Sequence, residues 1–292
     1  MTALISFSYS IKELTKLDPS YISMFISFLI SVTFLVLFIR RQQRSPHPLV
    51  DFKLFKSPLF SSAVIASLIA SACLMGINLV LSQRLQLVLS FTPLQSGYYF
   101  LPLSLGAIIA SPLSGWILPR TNSAKFLITS LLMYACAISA LMFSFYGHLY
   151  TQILCLFVLG ICVGATITAA SNTIMQATPP NRAGMAASIE EVSYELGGSL
   201  GIAIMGSIMS ITYTYIIKFP FYFAGESIAQ DSIDGALDVA TGMEHSAGLV
   251  LVNLAKSAFD KAIFSVMGIA IILLLVVSGL IWLNFRRSSK CR

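Results

Sequence analysis

Apolar residues dominate seven stretches of this chain, near residues 21–39, 58–82, 97–119, 126–146, 150–175, 187–214 and 262–285, and polar residues gather between them. A helix needs about 20 consecutive apolar residues to cross the hydrocarbon core of a bilayer. The pattern therefore predicts an all-α polytopic membrane protein with about seven transmembrane helices. Pro46 and Pro48 follow the first span and bias the residues before them toward extended structure, so 40–57 reads as a connector. Pro112 lies inside the span 97–119 and predicts a kink there, and Pro179-Pro180 separates the fifth and sixth long spans. Gly160 with Gly164, Gly197 with Gly201, and Ala203 with Ser207 place small residues four apart, a spacing that lets helix backbones approach closely.

One segment departs from this rhythm. Residues 215–261 carry Glu226, Asp231, Asp234, Asp238, Glu244 and Asp260 against three lysines. Apolar positions at helical spacing recur within 233–243 and 246–261, which leaves two expectations: a hairpin of two short amphipathic helices, or a flexible solvated loop. Its acidic balance would draw cations toward that end of the molecule.

Composition sharpens the class. Of the 292 residues, 57% are hydrophobic and only 10% are charged, whereas a soluble domain carries about 25% charged residues. The net charge of +6 is distributed unevenly. Twelve of the eighteen basic residues fall in one alternate set of loops: Arg40, Arg41, Arg44, Lys53, Lys56, Arg120, Lys125, Arg182, Arg286, Arg287, Lys290 and Arg292. By the positive-inside rule that set is cytoplasmic, and so is the C-terminal tail 286–292. Read this way the basic stretches are topology signals and imply no nucleic-acid partner; the partner they imply is the lipid bilayer. Trp116 and Trp282, near span ends, fit an aromatic belt. Arg84, beside Gln83 and Gln86 in an outer loop, reads as an interfacial anchor.

Cys73, Cys136, Cys155, Cys162 and Cys291 show no metal-ligand spacing, and His47, His148 and His245 are scattered over different loops. Neither residue type supports a metal site, and no helix carries the H-E-x-x-H pattern of a zinc hydrolase. An enzyme is the least supported class.

The strongest candidate chemistry lies on the sixth long span. Glu190, Glu191 and Glu195 sit in SIEEVSYELGGSLGIAIMG. A carboxylate within a membrane span costs about 2.5–3.5 kcal/mol on insertion scales, so three on one helix point to a role with protons or cations. With the helix starting near Ala183, Glu190 and Glu191 fall roughly 12 Å along it and Glu195 roughly 20 Å. Glu191 and Glu195 are four apart and share a face, while Glu190 is rotated by about 100°. The row Glu191, Glu195, Gly198 is expected to line a cavity, the small residue making room. A carboxylate in apolar surroundings holds a proton more readily than one in water, and competition between a proton and an organic cation is the simplest form of antiport. Tyr194, Tyr98 and Tyr99 are candidates for cation–π contact with such a substrate.

These residues also carry a resemblance. SPHPLVDFKLFKSPLF, FTPLQSGYYFLPLSLGAIIASPLSGWILPR, ATPPNRAGMAASIEEVSYELGGSLGIAIMGS and SAFDKAIFSV resemble the fourteen-span drug:proton antiporter branch of the major facilitator superfamily, the exporters of quaternary ammonium compounds and methyl viologen. The resemblance implies a bacterial inner-membrane exporter of lipophilic cations with no cofactor, energised by the proton gradient. It assigns Glu190, Glu191 and Glu195 to cation recognition and protonation. The family's first six-span half, its loop motif between the second and third spans and its glycine–proline antiporter motif have no counterpart here. Residues 1–14 look like the tail of a seventh span, 21–39 like an eighth, and 58–285 like the C-terminal six-span bundle of a major facilitator fold. The expectation is a C-terminal half, either truncated or one part of a split exporter, which would need a separately encoded N-terminal half or a second copy to cycle. The competing expectation is a membrane protein that kept this fold and transports nothing.

Overall fold

The computed structural model describes residues 2–14, 20–44, 51–145, 147–217, 232–243 and 245–290, and every regular element among them is helical. The helices are α1 (Thr2–Leu14), α2 (Tyr21–Arg44), α3 (Pro58–Gln83), α4 (Pro93–Ile117), α5 (Ser123–Ser144), α6 (Leu149–Gln176), α7 (Ala183–Ile216), α8 (Ile233–Thr241) and α9 (His245–Lys290). Seven of these, α2 to α7 and α9, are long and apolar enough to cross a membrane. Pro46, Pro48, Glu226, Asp231, Glu244 and Cys291 lie outside the described residues.

Local chemistry explains where the helices begin. Pro58 and Pro93 occupy first helical positions, where a missing N–H costs nothing and the fixed φ is already helical. Thr92 and Gln95 form a reciprocal capping box: the Gln95 amide donates to Thr92 Oγ1 at 3.3 Å, and the Thr92 amide donates to Gln95 Oε1 at 2.9 Å. That box starts α4 four residues before the expected 97. Asn122 caps α5 by accepting from the amides of Ala124 and Lys125, and Ser232 caps α8 by accepting from Gly235. α4 remains a helix through both Pro102 and Pro112.

α3 continues past Gln83 in a wide turn over Arg84–Val88. Ser90, at φ 58°, closes it, with the Phe91 amide donating to the Leu85 carbonyl at 2.8 Å. This left-handed position is one that glycine ordinarily fills.

The segment 233–261 differs from expectation. Only its first part is a separate short helix, α8. Residues 246–261 form the opening turns of α9, a single helix of 46 residues. No proline or cap interrupts the chain between His245 and Lys290, so the amphipathic and apolar stretches fuse.

The chain divides into two compact units. The first comprises residues 1–41, 76–96 and 202–266, and its core includes Ile77, Leu85, Met205, Met209, Tyr213, Leu251, Ala255 and Phe259. Within it Arg84, only 8% exposed, donates from Nε to Asp260 Oδ1 at 2.8 Å. Arg84 is thus half of a buried ion pair and not an interfacial anchor. The carboxylate sits 176 positions away in sequence, so spacing could not reveal it. By contrast α2 leaves its apolar side chains exposed along its length, Phe25, Leu29 and Leu35 among them.

The second unit comprises residues 42–75, 97–201 and 267–292. Its core is built from Phe60, Leu127, Leu131, Tyr134, Ile138, Leu156 and Leu159. Two of the three small-residue pairs are seen in use here. A Cβ added at Gly197 would strike the backbone of Leu68, and one at Gly201 that of Ala72, so α7 lies directly against α3. Gly160 and Gly164 meet the backbones of Leu103 and Ala107 in the same way, joining α6 to α4. Arg120 stacks over Trp116 at 3.9 Å and Arg286 over Trp282 at 4.3 Å, near the ends of α4 and α9.

Candidate functional site in the acidic helix

The placement of the acidic residues begins at the foot of α7. Asp51 Oδ1 accepts from the Lys53 amide at 2.9 Å and shapes the turn before α3. Its other oxygen pairs with Arg182, immediately before α7, and the Asp51 amide reaches Met185 Sδ at 3.2 Å. Connector and helix are therefore tied together at the first turn of α7. Further along, Ser71 on α3 donates to the Tyr194 carbonyl at 2.7 Å, next to the Gly197 and Gly201 contacts. Backbone packing and two polar ties fix the rotation of α7 in this unit.

With that rotation set, the three carboxylates separate into two environments. Glu190 is half-buried and accepts from Ser171 Oγ of α6 at 3.1 Å. Glu191 and Glu195 are exposed and share one face with Ser188 and Val192. Neither has an ion-pair partner among the described residues. Tyr194 is partly buried, within electrostatic reach of both.

The expected row of Glu191, Glu195 and Gly198 around a cavity is not what the helix presents. Gly198 is buried, and a Cβ added there would stand 3.2 Å from Met75 Cγ and 3.4 Å from Ser71 Oγ, so Met75 would have to give way slightly. It lies at the edge of the exposed arc, on the side that packs on α3, whereas the two carboxylates stand on an open face. Periodicity placed the three on one side of the helix; only the neighbour decides where that side ends.

The tyrosines are divided as well. Tyr98 is exposed, and its ring stacks on no other ring among the described residues. The Tyr99 hydroxyl donates to Gln152 Oε1 at 2.6 Å, and Gln152 in turn donates to the Phe145 carbonyl at 3.1 Å. The Tyr99 hydroxyl is thus committed to joining α4 to the start of α6.

Sequence reading passed over the polar run on α6. Ser171 bonds Glu190, Gln176 accepts from Ser123, and Asn172 Nδ2 is buried with no hydrogen-bond partner among the described residues. The available signal was a Ser-Asn-Thr sequence inside an otherwise apolar span, a position where polar groups are costly.

The profile of the Major Facilitator Superfamily matches residues 19–202. The chain belongs to the major facilitator superfamily. It is 31% identical to the multidrug efflux pump LfrA of Mycolicibacterium smegmatis over 89% of its own length and 52% of that protein. It is 27% identical to the methyl viologen resistance protein SmvA of Salmonella typhimurium over 99% of its length and 59% of that protein. A crystal structure of a bacterial homolog of the human lysosomal transporter Spinster, inward-facing and unoccupied, shares the fold with a TM-score of 0.60 at 17% identity, covering 90% of this chain and 59% of that one. The chain spans between half and three-fifths of the length of these relatives. Family and helices together make it an integral multi-pass membrane protein of a transporter class and not an enzyme.

Proposed function

We propose that this chain forms the C-terminal part of a proton-coupled exporter of lipophilic cations, among them quaternary ammonium compounds and methyl viologen-like dications. The observation that carries the reading is the pair Glu191 and Glu195. They lie on one open face of a membrane-capable helix, without an ion-pair partner among the described residues. An unneutralised carboxylate at such a position is stabilised by taking up a proton or a cation, and the two ligands compete. In this reading Glu195 is the exchange site, Glu191 adds negative charge one turn away, and Glu190 is held by Ser171. Tyr194, within electrostatic reach of both carboxylates, supplies aromatic surface for the cation. Tyr99, bonded to Gln152 at the far end of α6, and its neighbour Tyr98 stand away from that site. The names of LfrA and SmvA support export of drugs and viologens as the function.

The proposed setting is the bacterial inner membrane, with the basic loops and C-terminus in the cytoplasm. Alternating access rocks two bundles about a site at their interface. The open face of α7 therefore needs a second six-helix bundle, supplied by further sequence, a separate N-terminal half or a second copy of this chain.

The test is ethidium efflux from energised, pump-deficient cells expressing this chain alone or together with the N-terminal half of SmvA. We expect efflux in at least one arrangement, abolished by a protonophore and by Glu195→Gln. Efflux untouched by Glu195→Gln removes the exchange role. Stable insertion without efflux in either arrangement favours a membrane protein that transports nothing.

A further inference from the structure

The first unit contains a cavity of about 130 Å³ that the acidic helix reading does not use. Its inner wall is Met209 and Tyr213 of α7 and Phe259 of α9, all buried in the unit core. Gln83, at the end of α3, contributes an amide, and Asp234, in the first turn of α8, stands at the lip, exposed. Asp234 is the one carboxylate among the lining residues. The nearest basic residue along the chain from the lining, Arg84, is neutralised by Asp260 at 2.8 Å. Asp234 has no ion pair among the described residues, so its charge is available to a ligand.

We propose that this cavity binds the headgroup of a small organic ammonium ion, with Asp234 as counter-ion and Tyr213, Phe259 and Met209 as its wall. Three features select that class. Aromatic side chains and a polarisable thioether suit a weakly hydrated cation, and a single carboxylate supplies the opposing charge. Calcium or magnesium needs six or more oxygen ligands, and no group of three His, Cys, Asp or Glu among the described residues could hold a metal ion. A whole drug needs a pocket of about 300–1,000 Å³, so a space of 130 Å³ admits a trimethylammonium-sized group and leaves the rest of a larger molecule outside.

Helix chemistry alone gives a competing account of Asp234. An acidic residue in a first turn is favoured by the helix dipole, and Ser232 already caps this helix. Asp238, one turn later and exposed, shares the helix but does not line the cavity. The two aspartates therefore separate a ligand role from a helical one. The site stands on its own lining and does not depend on Glu191 or Glu195.

The test uses the purified full chain in detergent micelles, labelled with ¹³C-methyl methionine, the Met209 signal being assigned with Met209→Leu. Choline is the probe, and 3,3-dimethylbutan-1-ol, its uncharged isostere, is the control. We expect a saturable shift of the Met209 methyl with choline and at least about tenfold weaker binding of the alcohol. Asp234→Asn should weaken choline about tenfold while leaving the unliganded spectrum unchanged; Asp238→Asn should stay within about twofold of the parent. Asp234→Ser, which keeps a first-turn hydrogen-bonding group, repeats the measurement should Asn disturb α8. Equal response to choline and the alcohol, equal loss in the two aspartate variants, or a Met209 signal that choline leaves unmoved overturns the proposal. Loss of efflux in Glu195→Gln with choline binding retained, or the reverse, shows which of the two sites fails.

Discussion

Two acidic regions of this molecule treat their charge in opposite ways. In the first unit Asp260 is matched to Arg84 at 2.8 Å, and both side chains are largely withdrawn from the surface. In the second unit Glu191 and Glu195 stand exposed on a membrane-capable helix with no ion-pair partner among the described residues. The difference separates structural charge from charge kept available. Removing one member of a buried pair strands the other, which is why such a pair resists substitution. An exposed carboxylate in an apolar span contributes nothing to packing and raises the cost of insertion, so its retention points to ligand chemistry.

The sharpest way to break that comparison is to strand a charge. Arg84→Ala leaves Asp260 partly buried without its partner and should destabilise the first unit by about 3–5 kcal/mol. It would be read as a lowered melting temperature of the purified chain in detergent. The double variant Arg84→Ala, Asp260→Ala should recover part of that loss. Equal losses in the single and double variants would show that the pair is not the source of the stability.

The reciprocal change is expected to leave stability nearly untouched. Glu195→Gln should shift the same melting curve by no more than about 0.5 kcal/mol, the usual range for exposed positions, even where efflux is abolished. A large loss of stability would move Glu195 into the structural class with Asp260.

Between these lies the packing that orients the acidic helix. Gly201→Val places a side chain into the backbone of Ala72, and overpacking of this kind costs about 1–3 kcal/mol. Because it pushes α7 away from α3, it should also reduce labelling protection at Cys introduced for Gly198, while the Arg84–Asp260 pair survives. Unchanged protection would mean that Ser71 and the Asp51–Arg182 tie hold the helix without the glycine contact.

One change is expected to bring a gain. Ser90 holds φ 58° in the turn that ends the Arg84 segment, a conformation that costs a non-glycine residue about 1–2 kcal/mol. Ser90→Gly should raise stability by up to about 1 kcal/mol, since the flexibility added to the unfolded chain offsets part of the relief. A decrease would show that the Ser90 side chain makes a contact of its own.

Much of this architecture could be read before any coordinates. The seven spans follow from apolar length, because a bilayer leaves a backbone no other way to satisfy its polar groups. The start of α7 at Ala183, the shared face of Glu191 and Glu195 and the close approaches at Gly197 and Gly160 follow from local punctuation and helical period. The capping box at Thr92 and Gln95 was legible too, though the expected start of α4 overlooked it. What periodicity could not deliver was any relation between distant positions. The partner of Arg84 lies 176 residues away, and the partner of Glu190 sits on another helix. Gly198 shares its side of the helix with the carboxylates yet is buried by Met75.

The sequence by itself determined the class of the molecule, its membrane-capable helices and the residues able to carry charge within them. Those properties depend on local composition and on the 3.6-residue period, which each segment holds alone. Only the tertiary structure decided which charges are neutralised, which face of α7 stays open, and that Met209, Tyr213, Phe259 and Asp234 surround one cavity. Those are properties of contacts between segments remote in sequence, and they exist only once the helices have packed.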